Sequence, residues 1–196
     1  MNLLHNEIFL KRMQQRVADG SITASTMRNM GPAQTIEAVR KFLRNPELLR
    51  AFGSVGSESA FMALLDEQTE CLRENLLDGP RMRKEKYVGL WEKRWGVARK
   101  CLNIFLYECL NNRWLCEAYP RLCDLEPWLE VPLDSYVGFA LDKAGKHQKT
   151  PGWKSVIRLT EAESRIYQAF ASEFAKENSS HRVHLDLVFY NERKSE

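Results

Sequence analysis

Between Gly96 and Asn111 the chain reads GVARKCLNIFLYECLN, and at 100° per residue this stretch is apolar around most of its circumference. Val97, Ala98, Cys101, Leu102, Ile104, Phe105 and Cys109 share one wide arc. A helix of this kind is mostly buried, so the remainder of the chain must pack around it. Its other arc carries Arg99, Lys100, Asn103, Tyr107 and Asn111, a polar stripe that has to face water, a partner or a site. Lys100 is accordingly either a solvated ammonium or a partly desolvated amine. In the second case the neighbouring Arg94 and Arg99 would depress its pKa, as an attacking lysine requires.

Helical periodicity prevails elsewhere as well. It predicts helices over 2–18 with Leu4, Ile8, Met13 and Val17 inward and Gly20 as the stop, over 35–44, over 47–52 and over 57–77. A short basic helix over 84–94 leads into the central one. Thr160-Glu161-Ala162-Glu163 has the form of a capping box and opens a helix with Ile166, Ala169, Phe170 and Phe174 on its face. The segment from Arg182 alternates like a strand, yet Leu185, Val188 and Phe189 also fit a helix. The expected fold class is all-α, with roughly eight to ten helices of ordinary length.

The 196 residues are enough for one domain with a real core. No run of about 18 apolar residues is present, so no membrane span is expected. The start lacks the pattern of a secretory signal, and five cysteines without a C-x-x-C pair read as reduced thiols of an intracellular, cytoplasmic protein. The net charge of +3 is unevenly spread. Arg81, Arg83, Lys84, Lys86, Lys93, Arg94, Arg99 and Lys100 face only Glu85 and Glu92 over twenty residues, a local charge of +6. Such a patch is either a footprint for a polyanion or a solvated face. A second basic loop holds Lys146 and Lys149.

Asp134 follows Pro132 in VPLDSYV and precedes an amphipathic run through Val137, Ala140, Leu141 and Ala144. Pro132 holds Val131 extended, which sets Asp134 at a helix N-terminus. It is therefore either an N-cap or a carboxylate oriented toward a cleft. Trp114, Tyr119 and Trp128, between the lysine and the aspartate, are core residues or stacking surfaces for a base.

A helix with G-x-x-x-K followed, 34 residues after Lys100, by the aspartate of VPLDSYV resembles the helix-hairpin-helix DNA glycosylase superfamily. The spacing, and the His184-Leu185-Asp186 segment near the C-terminus, are most similar to its archaeal 8-oxoguanine glycosylase branch. The resemblance covers Trp91 to Tyr190. It departs from the family at the hairpin, which is degenerate, with only Gly89 and Gly96 flanking Leu90 to Trp95.

The resemblance implies a single two-lobed domain, a helical lobe over 1–80 packed on a hairpin and catalytic lobe over 81–196. It also implies a DNA glycosylase with lyase activity, in which Lys100 is the nucleophile and Asp134 the supporting carboxylate. Arg81, Arg83, Lys84, Arg94, Arg99, Lys146 and Lys149 would hold the phosphates of double-stranded DNA, and Trp91, Trp95, Asn103, Tyr107 and Asp186 would surround the base. No cofactor is expected, and the protein is expected to act as a monomer. Relatives with an iron–sulfur loop carry its cysteines after the aspartate. Here Cys71, Cys101, Cys109, Cys116 and Cys123 all precede Asp134, so no metal cluster is expected. Two other readings stand beside this one, a non-catalytic helical module that binds nucleic acid or protein, and a glycosylase acting on modified bases of foreign DNA.

Overall fold

The computed structural model describes residues 6–77 and 94–189, and among these the chain is all-α, with no strand. Eight helices follow in order: α1 (Glu7–Ser21), α2 (Gln34–Leu43), α3 (Pro46–Phe52), α4 (Glu58–Leu77), α5 (Trp95–Leu110), α6 (Arg113–Ala118), α7 (Ser135–Ala144) and α8 (Glu161–Glu177). A 3-10 stretch, Pro120–Trp128, joins α6 to the approach of α7. Another, Arg182–His184, runs into a helical turn over 185–189. The final segment is thus helical, as the Leu185, Val188 and Phe189 spacing allowed. The expected basic helix over 84–94, the hairpin, Arg81, Arg83, Lys84, Trp91 and Tyr190 lie outside the described residues, except for Arg94.

Helix α5 is the hub, with α1, α2, α4, α6 and α8 packed around it. Every residue from Trp95 to Asn103 is buried, polar ones included. One apolar core runs from Ala18 in α1 through Phe61 and Leu65 in α4 and Phe105 in α5 to Phe170 in α8. Gly96 stands in the first turn of α5. A Cβ there would come within 2.4 Å of the Val156 carbonyl, so glycine lets the 156–159 segment cross the helix directly.

Two buried faces differ from their periodicity. Ile8, expected inward, is 67% exposed, while the inward position on α1 belongs to Gln14, whose amide donates to the carbonyls of Leu43 and Asn45 at 2.7 Å each. Gly20 lies in the last turn of α1 rather than ending it. On α8, Ile166 is 46% exposed and the buried side is led by Ser164, Tyr167, Gln168 and Ala171. The physical reason is the same in both helices. A polar side chain can be interior when a distant group satisfies it, and apolar spacing does not register that. The Thr160 capping box forms as expected, with Thr160 Oγ1 accepting from Glu163 N and Glu163 Oε2 accepting from Thr160 N.

Helix α7 is seated by Gly138. The Trp153 ring occupies the space a side chain would need, and a Cβ would come 2.1 Å from Trp153 Cδ2. Trp153 is itself fixed, because its backbone N–H donates to Asp142 Oδ2 at 2.6 Å while Asp142 Oδ1 accepts from Thr150 and Tyr167. Gly138→Ala is therefore expected to cost about 1–3 kcal/mol, the range for overfilling a packed core. Urea unfolding of the variant beside the parent protein checks this.

Candidate active site

After the 3-10 stretch ends at Trp128, residues 129–133 are buried against α5 and α8, and among the described residues no strand pairs with them, so their backbone groups must be satisfied by side chains. Arg182 donates to the carbonyls of Trp128 and Leu129 at 2.8 and 2.9 Å. Gln168 spans Val131, donating to its carbonyl at 2.8 Å and accepting from its N–H at 3.1 Å. Glu130 points the other way, into α5, where Arg99 grips it through two bonds of 2.7 and 3.0 Å and Asn103 adds one of 3.2 Å.

That grip delivers Asp134 to the first turn of α7 opposite Lys100. One carboxylate oxygen, Oδ1, accepts from Tyr136 N at 2.9 Å and Val137 N at 3.0 Å, the bonds of an N-cap. The other, Oδ2, lies 3.5 Å from Lys100 Nζ. The two readings of Asp134 are therefore not alternatives, since each uses a different oxygen. Lys100 is 6% exposed and its ammonium also donates to the Thr26 carbonyl at 3.2 Å.

The pair opens into a cleft of about 430 Å³, a size usual for small-molecule sites. Its walls come from four separated stretches. Gly20 to Thr26 supplies one rim, and Lys100, Ile104, Tyr107 and Glu108 supply a second, spaced as one helix face. Pro132 and Asp134 form the third and Val183, Asp186 and Leu187 the fourth. Burial, with the charge of Asp134 added, holds the Asp186 carboxyl above the usual carboxylate range against the opposing pull of Lys100.

The structure thus brings Lys100, Asp134, Tyr107 and Asp186 to one cleft and puts other expected residues elsewhere. Arg99 is buried with Glu130, Asp66 and Thr69, where a phosphate does not reach it, because a carboxylate on the facing segment claims its guanidinium. Asn103 is turned inward to the same carboxylate and does not line the cleft. Trp95 is buried beneath the Arg99 guanidinium at 5.1 Å and does not line the cleft. Arg94 is buried with its guanidinium against Gly31, not displayed on the surface as binding a phosphate requires. The α5 polar stripe therefore divides, with Arg99 and Asn103 on its inner edge and Lys100 and Tyr107 on its outer edge.

Lys146 and Lys149 are exposed in the loop after α7, and neither lines the cleft. Lys149 lies 3.7 Å from Glu173 and over the Phe170 ring at 5.2 Å. Of the three interleaved aromatics, Trp114 sits edge-on to Phe9, Tyr119 lies against Gly53 and Trp128 faces Phe61. They are packing residues, and none lines the cleft.

Sequence reasoning missed the Thr26 carbonyl, Ser25 and Glu108. The first two belong to a turn-rich loop with no periodicity. Glu108 does follow Lys100 by two helical turns, a spacing that could have flagged it. Burial pushes the Cys101 thiol up to about 12, so the residue beside Lys100 supplies no thiolate at neutral pH. Among the described residues no group of three or more His, Cys, Asp or Glu side chains is arranged to hold a metal ion, and no helix is long and apolar enough to cross a membrane. No family model, no curated protein and no solved structure matches this chain.

Proposed function

We propose that the protein is a DNA glycosylase with lyase activity of the helix-hairpin-helix type, excising a damaged or modified base such as 8-oxoguanine through a lysine Schiff base. The observation that carries the reading is a buried lysine 3.5 Å from a carboxylate whose other oxygen is anchored, at the mouth of a cleft. A structural ion pair has no need of an opening beside it.

The chemistry follows from what each group can do. A base inside a duplex is out of reach, so the nucleotide is extruded into the cleft. An ammonium is no nucleophile. Asp134 Oδ2 takes a proton from Lys100 Nζ, and the free amine attacks the anomeric carbon as the glycosidic bond breaks. The electron pair of that bond leaves with the base, which takes the proton that Asp134 removed from Lys100. Asp134, a carboxylate again once that proton has passed to the base, opposes the positive charge that grows on the sugar. Ring opening then gives the imine between Lys100 and C1′, loss of a proton from C2′ expels the 3′ phosphate, and water releases the lysine. Tyr107 and Asp186 are the wall residues available to touch the base.

The test is borohydride trapping against a panel of duplexes, each with one damaged or modified base. A covalent protein–DNA adduct on at least one of them is the expected result, and no adduct on any, an abasic duplex included, ends the proposal. Double-stranded DNA is the proposed partner and a monomer the proposed working form. Replacing Arg83 and Lys84 together by Ala should weaken duplex binding about equally across sequences and lower the slope of log K against log salt by about two, near 0.9 for each phosphate no longer neutralised. Titrations at several salt concentrations read this directly, and an unchanged slope makes those two cations part of a solvated face.

A further inference from the structure

We propose that Gln168 is a positioning residue for the Lys100–Asp134 pair, acting through the backbone of Val131; the inference rests on the function proposed above. Gln168 is 3% exposed in the middle of α8, between Tyr167 and Ala171, at a position where an apolar side chain would be the ordinary choice. A primary amide there is tolerable only if both of its ends are satisfied. Both are, and by a single residue 37 positions away in the chain, Val131, whose N–H and carbonyl it pairs as a neighbouring strand would.

The geometry explains why an amide is needed and why at that place. Val131 is followed by Pro132, which offers no N–H and has a fixed φ, and then by Leu133 and Asp134. Of the three grips on this segment, Arg182 holds its start and Arg99 holds the Glu130 side chain, while Gln168 holds the backbone closest to Asp134. The two amide bonds fix the rotation of the peptide planes on either side of Val131. That rotation, carried through the rigid proline, sets where Asp134 Oδ2 stands relative to Lys100 Nζ. A displacement of about 1 Å in a reacting constellation commonly costs about 10²-fold in rate.

The test separates positioning from mere stability by reading two quantities in one single-turnover trapping experiment on a duplex that the parent protein attacks. Amplitude reports the fraction of folded, competent molecules, and the rate constant reports the geometry within them. Gln168→Met keeps the length and removes both bonds. It is expected to trap with near-full amplitude below its melting temperature, to bind a duplex with a tetrahydrofuran abasic analogue within about 3-fold of the parent, and to lose about 30- to 100-fold in rate constant.

Gln14→Met is the matched control, because Gln14 is another buried glutamine holding two backbone carbonyls and does not line the cleft. It should lower stability and leave the rate constant unchanged. If Gln168→Met does not fold, Gln168→Glu, which keeps the acceptor for Val131 N, should show the same division. A Gln168 variant with reduced amplitude and the parent's rate constant makes the residue structural only and overturns the inference while leaving the proposed function standing. A parent protein that traps no duplex at all overturns both.

Discussion

Lys100→Gln is expected to yield no borohydride adduct on any duplex that the parent protein traps, while its affinity for the same duplex stays within a few-fold. The amide keeps the length of the side chain but has no nucleophilic nitrogen. Lys100 is buried and held by Asp134 and Thr26 rather than displayed to phosphates, so its loss removes none of the cations that set duplex affinity. Asp134→Asn should fail in another way. Asparagine caps helices about as well as aspartate, and its carbonyl oxygen can take over the bonds from Tyr136 N and Val137 N, so α7 should persist. What disappears is the charge and basicity at Oδ2. The single-turnover rate should fall by about 10²–10³-fold, the scale for removing one preorganised electrostatic group. Circular dichroism and quench-flow trapping on the two variants decide the matter, and an Asp134→Asn protein with the parent's rate would leave Asp134 as a cap and nothing more.

The second large effect concerns the interior. Arg99→Met should destabilise the fold by about 3–5 kcal/mol, because it strands the Glu130 carboxylate in a site where both partners are almost fully buried. Replacing both residues, Arg99→Met with Glu130→Met, should recover most of that loss, since the desolvated charge is then absent. The pH dependence gives an independent check. In the parent protein burial would raise the Glu130 carboxyl, but the Arg99 charge and hydrogen bonds outweigh it and hold the group below its usual value. Its stabilising contribution is therefore present above the ordinary carboxylate range and is lost as pH falls through the lowered value. In Arg99→Met only the Arg182 charge and the Asn103 hydrogen bond remain against burial, and the sign is expected to reverse. The gap in stability between variant and parent should narrow as pH drops from 7 toward 4, and urea titrations at those pH values read it. A gap that stays constant would show that Glu130 is already neutral or solvated.

Much of the fold was legible because local rules and tertiary packing agree. The apolar circumference of α5, the Thr160 capping box and the Pro132-directed N-cap at Asp134 each depend on neighbours within a few residues, and all three form. The meeting of Lys100 with Asp134 was legible in the polar stripe of a buried helix and in the entry to α7 fixed by Pro132. What could not be read is which polar residue finds which distant partner. Arg99 and Lys100 are adjacent in sequence and alike in charge. Only the third dimension sends one to Glu130 and the other to a cleft. Gln14 and Gln168 are buried for the same reason, each satisfied by a distant backbone, and the exposed Ile8 and Ile166 are the counterpart of their burial.

The order in which the cleft's walls occur along the chain has a consequence for synthesis. Lys100 and Asp134 emerge from the ribosome while the wall of Val183, Asp186 and Leu187 has yet to be made, a delay of some seconds at about 5–20 residues added per second. A product cut short before residue 183 carries Lys100 and Asp134 but lacks the fourth wall of the cleft. The cleft is therefore complete only in a chain that has been translated through its last wall, at Leu187.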